Sequence, residues 1–240
     1  MNHKYVNRDE AGSALAARLM KYADQPDTIV LGLARGGIPV AFKVAAMLNA
    51  PLDTLLVRKI GTPDNPELAA GAVIDGEEPE IFLNEDVMRS FRVPEKYLEE
   101  EKAHQLAEIE RRRALYDKER HSYKVDIQNK TVIVVDDGVA TGATIKAALK
   151  YIKNKKPDEL ILATPVAAYS TLKALREEAD EVVCPMAPKN LASVGQYYEN
   201  FPQVNDEEVI ECLQKAEELR LKADYDVSEK NLPAHVPRVF

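Results

Sequence analysis

Two adjacent carboxylates follow a β-branched apolar run in the middle of the chain. The run is residues 132–135 (VIVV), the acids are Asp136 and Asp137, and residues 138–144 (GVATGAT) are small and rich in hydroxyls. Such a run predicts a buried parallel strand, and α/β sheets bind ligands at the carboxyl ends of their strands. A small turn that opens a helix presents backbone N–H groups to a phosphate. The pattern therefore predicts a site where a phosphate sits in the turn and a sugar diol, or a Mg²⁺ ion, meets the acids.

A simpler explanation of these residues remains open at this point. An acid after a strand is often only a helix cap, and small residues are common in strand-to-helix turns. Two familiar phosphate motifs are excluded, because the turn lacks the Gly-Lys-Ser/Thr ending of a Walker loop. The order Asp136-Asp137-Gly138 also lacks the Asp-x-Asp spacing of aspartate-nucleophile phosphatases.

A second candidate anion site follows the first predicted strand. Arg35, Gly36 and Gly37 open the helix there. Glycines let the backbone approach an anion, and arginine supplies a rigid fork of donors. Arg58 and Lys59 close the next predicted strand, so they could reach the same anion. The alternatives are a plain glycine-rich turn and a charged strand end.

The elements that must position these residues alternate between strand and helix patterns. Strands are predicted at residues 28–33, 53–58, 131–135, 159–164 and 181–184, and helices at 8–23, 38–48, 142–153, 170–178 and from 206 onward. Asp9 and Asp206 are predicted to cap the first and last of these helices. The alternation favours a parallel sheet with helices on its faces.

The stretch from 61 to 128 interrupts that alternation. Residues 61–84 read as a loop with a hairpin, whose short β-like pieces are 69–74 and 80–83. Residues 94–119 predict a long helix whose alternating acids and bases are typical of a solvated face. The loop could close over a reaction as a lid, and Glu67 within it is most simply an exposed acid.

Composition limits the classes of function. The chain has 240 residues, 45% of them hydrophobic and 30% charged, which is typical of a globular protein. Its net charge of −8 argues against a nucleic-acid binder. We find no apolar run of membrane-spanning length, no signal-peptide pattern and no metal spacing in the two cysteines. These observations favour a cytoplasmic protein with no membrane partner.

Residues 132–144 (VIVVDDGVATGAT) resemble the signature with which type I phosphoribosyltransferases bind phosphoribosyl pyrophosphate (PRPP). That signature is four apolar residues, two acids and a Thr-Gly-Gly/Ala-Thr/Ser turn. The order of segments from LGLARGG to VGQYYENFPQ is similar to a less characterised bacterial and archaeal branch, over roughly residues 5 to 215.

The resemblance implies an α/β fold, a Rossmann-like parallel-sheet core with helices on both faces, plus a small hood and an inserted hairpin and long helix. The implied domain is 1–215, with the insertion at 61–128 and the hood at 185–203. Residues 216–240 are then a C-terminal extension, either a tail or a strap along a partner.

The resemblance also assigns roles to residues. Asp136 and Asp137 would hold the ribose hydroxyls and Mg²⁺, directly or through water. The catalytic set is Asp136, Asp137, Arg35 and Lys59. The binding residues are Ala140, Thr141, Gly142, Ala143 and Thr144 for the 5′-phosphate, Gly36, Gly37 and Arg58 for the pyrophosphate, and Tyr197 and Tyr198 for stacking on the acceptor. Phe201 is a third aromatic of the hood, and one or two of these rings could instead pack the hood onto the core.

The implied reaction is a Mg²⁺-dependent transfer of the 5-phosphoribosyl group from PRPP to a nitrogen acceptor, with release of pyrophosphate. A homodimer is implied as well. Ala140 departs from the family members that act on 6-oxopurines, which usually carry an acid there, and this lowers the expectation of a hypoxanthine or guanine acceptor. The alternatives are a non-catalytic module that senses PRPP or a nucleotide, and a phosphatase or hydrolase of a phosphorylated sugar.

Overall fold

The computed structural model describes residues 4–76, 79–118 and 126–230. Its strands are β1 (Thr28–Leu33), β2 (Leu52–Leu55), β3 (Val57–Thr62), β4 (Asn65–Ile74), β5 (Glu80–Leu83), β6 (Thr131–Val135), β7 (Glu159–Ala163) and β8 (Glu181–Val183). Its α-helices are α1 (Arg8–Ala16), α2 (Gly37–Leu48), α3 (Glu85–Ser90), α4 (Glu95–Lys118), α5 (Ala143–Asn154), α6 (Tyr169–Leu175) and α7 (Asp206–Lys230). No helix among the described residues is long and apolar enough to cross a membrane.

A five-stranded parallel sheet in the order β2-β1-β6-β7-β8 forms the centre of the fold. Successive side chains of β6 point to opposite faces, so each face needs its own cover. Ile133 and Val135 pack in the cluster that contains α2, whereas Val132 and Val134 pack in the cluster that contains α5. All four are fully buried. The predicted parallel sheet with helices on both faces is confirmed.

The predicted strand at residues 53–58 is wrong, because two strands occupy that stretch. β2 pairs with β1 only as far as Leu55, and the chain then enters β3, which pairs antiparallel with β4. The apolar run Leu55-Leu56-Val57 contains no glycine or proline to mark the break, and Leu56 is as buried as its neighbours. Consequently Arg58 lies inside the second sheet and not at the end of a core strand.

The insertion is a three-stranded antiparallel sheet, β3-β4-β5, followed by α3 and α4. The predicted hairpin and long helix are therefore present, although α3 was not expected from the sequence. The predicted solvated face of α4 is wrong at Arg112, which is buried. Gln105, Ile109, Arg112 and Tyr116 recur at helical spacing and are buried against β3 and the start of α7.

Both predicted helix caps are wrong by one or two residues. The side chain of Asn7, and not Asp9, accepts the hydrogen bond from the N–H of Glu10 at the start of α1. Asn205 caps α7 in the same way, since its Oδ1 accepts from the N–H of Glu208 at 2.8 Å. Asp206 is thereby left to bind other groups.

The first and last helices also differ in length from their predicted extents. The first ends at Ala16, seven residues earlier than predicted, and a separate 3₁₀ turn follows at Met20–Tyr22. α7 continues without a break across residue 215, where the predicted domain ends. The predicted tail from residue 231 onward lies outside the described residues.

Candidate active site

The two carboxylates at the end of β6 form an acid pair, Asp136 and Asp137. The N–H of Asp137 donates to Oδ1 of Asp136 at 2.9 Å, which fixes the first carboxylate beside the second. Burial raises the pKa of Asp136, and the neighbouring charge of Asp137 raises it further. Burial also raises the pKa of Asp137, and Arg8 opposes that shift. Two adjacent buried acids of this kind attract cations and hydroxyl donors.

Arg8, the first residue of α1, is the counter-ion of the pair. Its Nε and Nη2 each lie 2.8 Å from Oδ2 of Asp137, and Nη1 donates to the carbonyl of Pro202 at 2.8 Å. The guanidinium also lies 3.9 Å from the ring centre of Phe201. Sequence reasoning missed this residue. The available signal was a positive charge at a helix N-terminus, which is unfavourable unless an acid lies nearby.

The segment after the pair is a turn that delivers the chain into α5. Gly142 has φ +76°, a left-handed conformation that glycine adopts without strain. The hydroxyl of Thr171 donates to the carbonyl of Ala140 at 2.6 Å, and the N–H of Val139 donates to the carbonyl of Val166 at 2.9 Å. These bonds hold the turn from Ala140 to Thr144 with the first N–H groups of α5 behind it, as a phosphate site requires.

The glycine loop between β1 and α2 packs directly on the acid pair. A side chain at Gly36 would collide with the carboxylate of Asp137, and one at Gly37 would lie 2.7 Å from the carbonyl oxygen of Val135. The loop can approach the acids only because both residues lack a Cβ atom. Its first peptide bond, between Ala34 and Arg35, is cis. The structure thus brings the two predicted anion-binding segments together.

Arg58 does not extend from the end of a core strand, as the sequence predicted. It extends from β3 toward α4, where its Nε donates to Oε1 of Gln105 at 2.7 Å. Burial lowers the pKa of Arg58, and the nearby charges of Arg112 and Arg35 lower it further. Lys59 is the next residue of β3, so its side chain points to the opposite face of the hairpin. That face packs on α5.

The sequence profile of the family described as Phosphoribosyl transferase domain matches residues 7–199. The chain belongs to this family. A Mycobacterium tuberculosis protein that carries the provisional name of phosphoribosyl transferase is 40% identical over 212 residues, which is 88% of this chain and 47% of that protein. The chain thus spans about half the length of that relative.

Two further proteins are similar over most of the phosphoribosyltransferase domain. The crystal structure of TT1426 from Thermus thermophilus is 38% identical and has a TM-score of 0.73, covering 88% of this chain and 98% of that one. The bifunctional protein PyrR of Clostridium novyi is 25% identical over 190 residues, which is 79% of this chain and 82% of that protein. These similarities confirm the family that the residues 132–144 indicated.

The predicted hood, residues 185–203, is joined to the N-terminal segment at Tyr5. The N–H of Tyr5 donates to the carbonyl of Tyr197 at 2.9 Å, and the N–H of Glu199 donates back to Tyr5 at 2.8 Å. The ring of Tyr198 lies between Tyr5 and Phe201, with ring centres 5.7 and 4.6 Å apart. The hood is therefore anchored by the same N-terminal segment that supplies Arg8.

The position of Tyr198 indicates a structural role and not a stacking contact with an acceptor base. Only 3% of it is exposed, and its hydroxyl donates to the carbonyl of Asp137 at 2.6 Å. With its ring enclosed by Tyr5 and Phe201, it supports the acid pair and offers no open face to an acceptor. Tyr197 is partly exposed and remains a predicted acceptor contact.

Proposed function

We propose that this domain transfers the 5-phosphoribosyl group of PRPP to a nitrogen acceptor and releases pyrophosphate. The observation that carries the proposal is the contact between the acid pair, the turn at 140–144 and the loop Arg35-Gly36-Gly37. This contact offers carboxylates to a diol, helix N–H groups to one phosphate, and arginine with open backbone to a second anion. PRPP carries these three features on one ribose ring.

Each part of the donor has an assigned place in the proposed complex. The 5′-phosphate lies in the turn from Ala140 to Thr144, and the ribose hydroxyls donate to Asp136 and Asp137. The pyrophosphate lies against Gly36 and Gly37, within reach of Arg35. Lys59 remains a predicted contact of the donor. Holding both ends of the donor fixes the carbon between them for attack, and the arginines stabilise the negative charge that develops on the leaving group.

The acid pair fits a Mg²⁺ ion that arrives with the donor. Its oxygens are the ligands that Mg²⁺ prefers, and Mg²⁺ in phosphate sites is commonly held by one or two carboxylates plus substrate oxygens and water. Within the described ranges no cluster of three or more potential ligands occurs, so these residues provide no complete cage. Bound there, Mg²⁺ would neutralise charge on the departing pyrophosphate.

The acceptor would bind beneath the hood, next to Tyr197. Ala140 supplies no acid to a base at this point, so we expect acceptors other than 6-oxopurines. The turn between β3 and β4 lies within the predicted lid, and closing it would protect PRPP from water. The side chain of Glu67 in that segment lies outside the described residues.

Calorimetry with PRPP and Mg²⁺, followed by a pyrophosphate-release screen over purines, pyrimidines and small amines, tests the proposal. D137N should weaken PRPP binding roughly 10- to 100-fold, the value of one or two charge-assisted hydrogen bonds. The matched control is D27N, which removes a carboxylate that pairs with Lys130 at the opposite edge of the sheet. D27N should bind PRPP as the wild type does.

The outcomes separate the candidate functions. PRPP binding together with pyrophosphate release on adding an acceptor supports the transferase. Binding with no release for any acceptor would favour a module that senses PRPP. The proposal is wrong if the wild-type protein does not bind PRPP, and the assigned site is wrong if D137N and D27N bind it equally well.

A further inference from the structure

Three arginines from separate elements meet beside the glycine loop, and we call them the arginine cluster. They are Arg35 of the loop, Arg58 of β3 and Arg112 of α4. Arg112 is only 7% exposed although it lies in the charged run of α4. Arg35 and Arg112 both lie within ion-pair distance of Asp206, and Arg58 binds Gln105 of α4, two turns before Arg112. Burial lowers the pKa of Arg58, and the charges of Arg112 and Arg35 lower it further. Such an arrangement favours a bound anion.

The carboxylate of Asp206 is the anion that the cluster now faces. Its Oδ1 lies 3.8 Å from Nη1 of Arg35 and 3.9 Å from Nε of Arg112. These are ion-pair distances and not hydrogen bonds. The stronger partners of Asp206 are Tyr116, which donates to the same Oδ1 at 2.6 Å, and Arg111, which donates to Oδ2 at 2.8 Å. Arg35 and Arg112 thus converge on one oxygen without being tightly bound to it.

The guanidinium groups of Arg58 and Arg112 are each held at Nε, Arg58 by a hydrogen bond and Arg112 by an ion pair that lacks hydrogen-bond geometry. Arg58 is anchored through Nε by Gln105 at 2.7 Å, and Nε of Arg112 lies 2.7 Å from Oε1 of Glu108. Within the described ranges, no hydrogen bond from the two terminal nitrogens of either arginine is found. A fork that is fixed at its base and open at its tip is preorganised for two-point binding of a phosphate.

We propose that Arg112 binds the pyrophosphate end of the donor together with Arg35 and Arg58, and that Asp206 holds the anion position until pyrophosphate displaces it. This inference rests on the proposed function, since that function supplies the pyrophosphate. It adds a residue from the inserted helix α4 to a site that otherwise belongs to the core sheet.

Arg111 provides the matched control, because it binds the same two acids from the solvent side. Its Nε lies 2.9 Å from Glu108 and its Nη2 2.8 Å from Asp206, but half of its side chain is exposed. If the network serves only to join α4 to α7, then R111M and R112M should behave alike. If the cluster binds pyrophosphate, only R112M should lose affinity.

The experiment is calorimetric titration of the full chain with inorganic pyrophosphate and Mg²⁺, and separately with PRPP and Mg²⁺. R112M should weaken pyrophosphate binding at least ~10-fold, the value of one charge-assisted contact, while R111M changes it less than ~2-fold. R112K should recover only part of the loss, because lysine replaces the fork with a point charge. Equal affinities in R112M and R111M would overturn the inference.

D206N gives a second test that does not depend on R112M folding. Removing the competing carboxylate should tighten pyrophosphate binding, whereas a purely structural role for Asp206 predicts unchanged or weaker binding. Tighter binding supports the inference and unchanged or weaker binding overturns it. A wild-type protein that binds pyrophosphate but transfers no phosphoribosyl group would uphold the arginine cluster and sink the proposed function. A wild type that binds neither ligand would overturn both.

Discussion

The acid pair comes from two consecutive residues at one strand end, whereas the arginine cluster takes one residue from each of three elements. The two regions touch at the glycine loop, where Gly36 packs on Asp137 and Arg35 belongs to the cluster. Each region places like charges close together, and the opposite charges around it offset them only in part. Arg8 offsets Asp137, while Asp206 and Glu108 offset the arginines.

The acid pair and the arginine cluster should therefore respond differently to substitution. The acid pair depends on a single, well-made counter-ion contact with a largely buried guanidinium, so one substitution should affect it strongly. The ion pairs around the arginine cluster are shared among several residues of α4 and α7. Loss of one of them should therefore cost little stability, even where it alters binding.

The largest effect on stability is expected for R8M. Breaking a buried ion pair leaves Asp137 uncompensated, and the expected loss is about 3 kcal/mol in the free energy of unfolding, the low end of the range because 13% of the Asp137 side chain is exposed. Urea denaturation measures it. The control K43M breaks a more exposed ion pair with Asp9 and should cost less than about 1 kcal/mol.

A double-mutant cycle sharpens that prediction. Because D137N removes the charge that Arg8 offsets, R8M/D137N should lose less stability than the sum of the two single variants. Losses that simply add, or a loss in R8M no greater than in K43M, would contradict the assignment of Arg8 as the counter-ion of the acid pair.

The next largest effect is expected for G142A. The left-handed backbone at φ +76° strains any other residue, and the added Cβ would lie 2.5 Å from Cγ2 of Thr171. Strain of this kind costs about 1–3 kcal/mol, which thermal or urea unfolding would measure. T171S removes the clashing methyl and keeps the hydroxyl that donates to Ala140. G142A/T171S should therefore recover part of the loss, and no recovery would show that the cost is in the backbone alone.

The smallest expected effect is on how the free energy of unfolding depends on pH near the arginine cluster. A hydrogen bond from Arg111 lowers the pKa of Glu108 to about 2 from an ordinary value of 4.5. Stability from this group is thus fully present above pH 4.5 and is lost as the pH falls toward 2. Because the pair is partly exposed, we expect about 1 kcal/mol or less.

Comparing E108Q with the wild type tests that dependence. Unfolding free energies measured between pH 4.5 and pH 2 should fall less steeply for E108Q. The control E211Q, in an exposed pair with Lys215, should follow the wild type. Parallel curves for all three proteins would mean that Glu108 carries no acid-sensitive stability.

Sequence reasoning succeeded where one local segment carries the whole signal. β1 and β6 begin and end at the predicted residues, because each is a largely apolar run that directly follows a charged residue, Asp27 or Lys130. The acid pair and the turn at residues 140–144 were predictable for the same reason. It failed at the junction of β2 and β3, where the apolar run continues while the chain changes sheets. It failed for the caps, because Asn7 and Asn205 precede, by two residues and by one, acids that are equally good cap residues.

The parallel α/β core, the family and the acid pair at the end of β6 could be predicted from the amino-acid sequence, because these depend on short-range periodicity and on adjacent residues. The pairing of Arg8 with Asp137 and the enclosure of Tyr198 between Tyr5 and Phe201 became evident only from the packing of the elements. That packing alone brought Arg112 from the inserted helix to Arg35 and Arg58. Contacts between residues 129 positions apart, as for Arg8 and Asp137, leave no periodic trace in the sequence. They are set by how the elements pack, so the arrangement of charge around the candidate site had to be read from the fold.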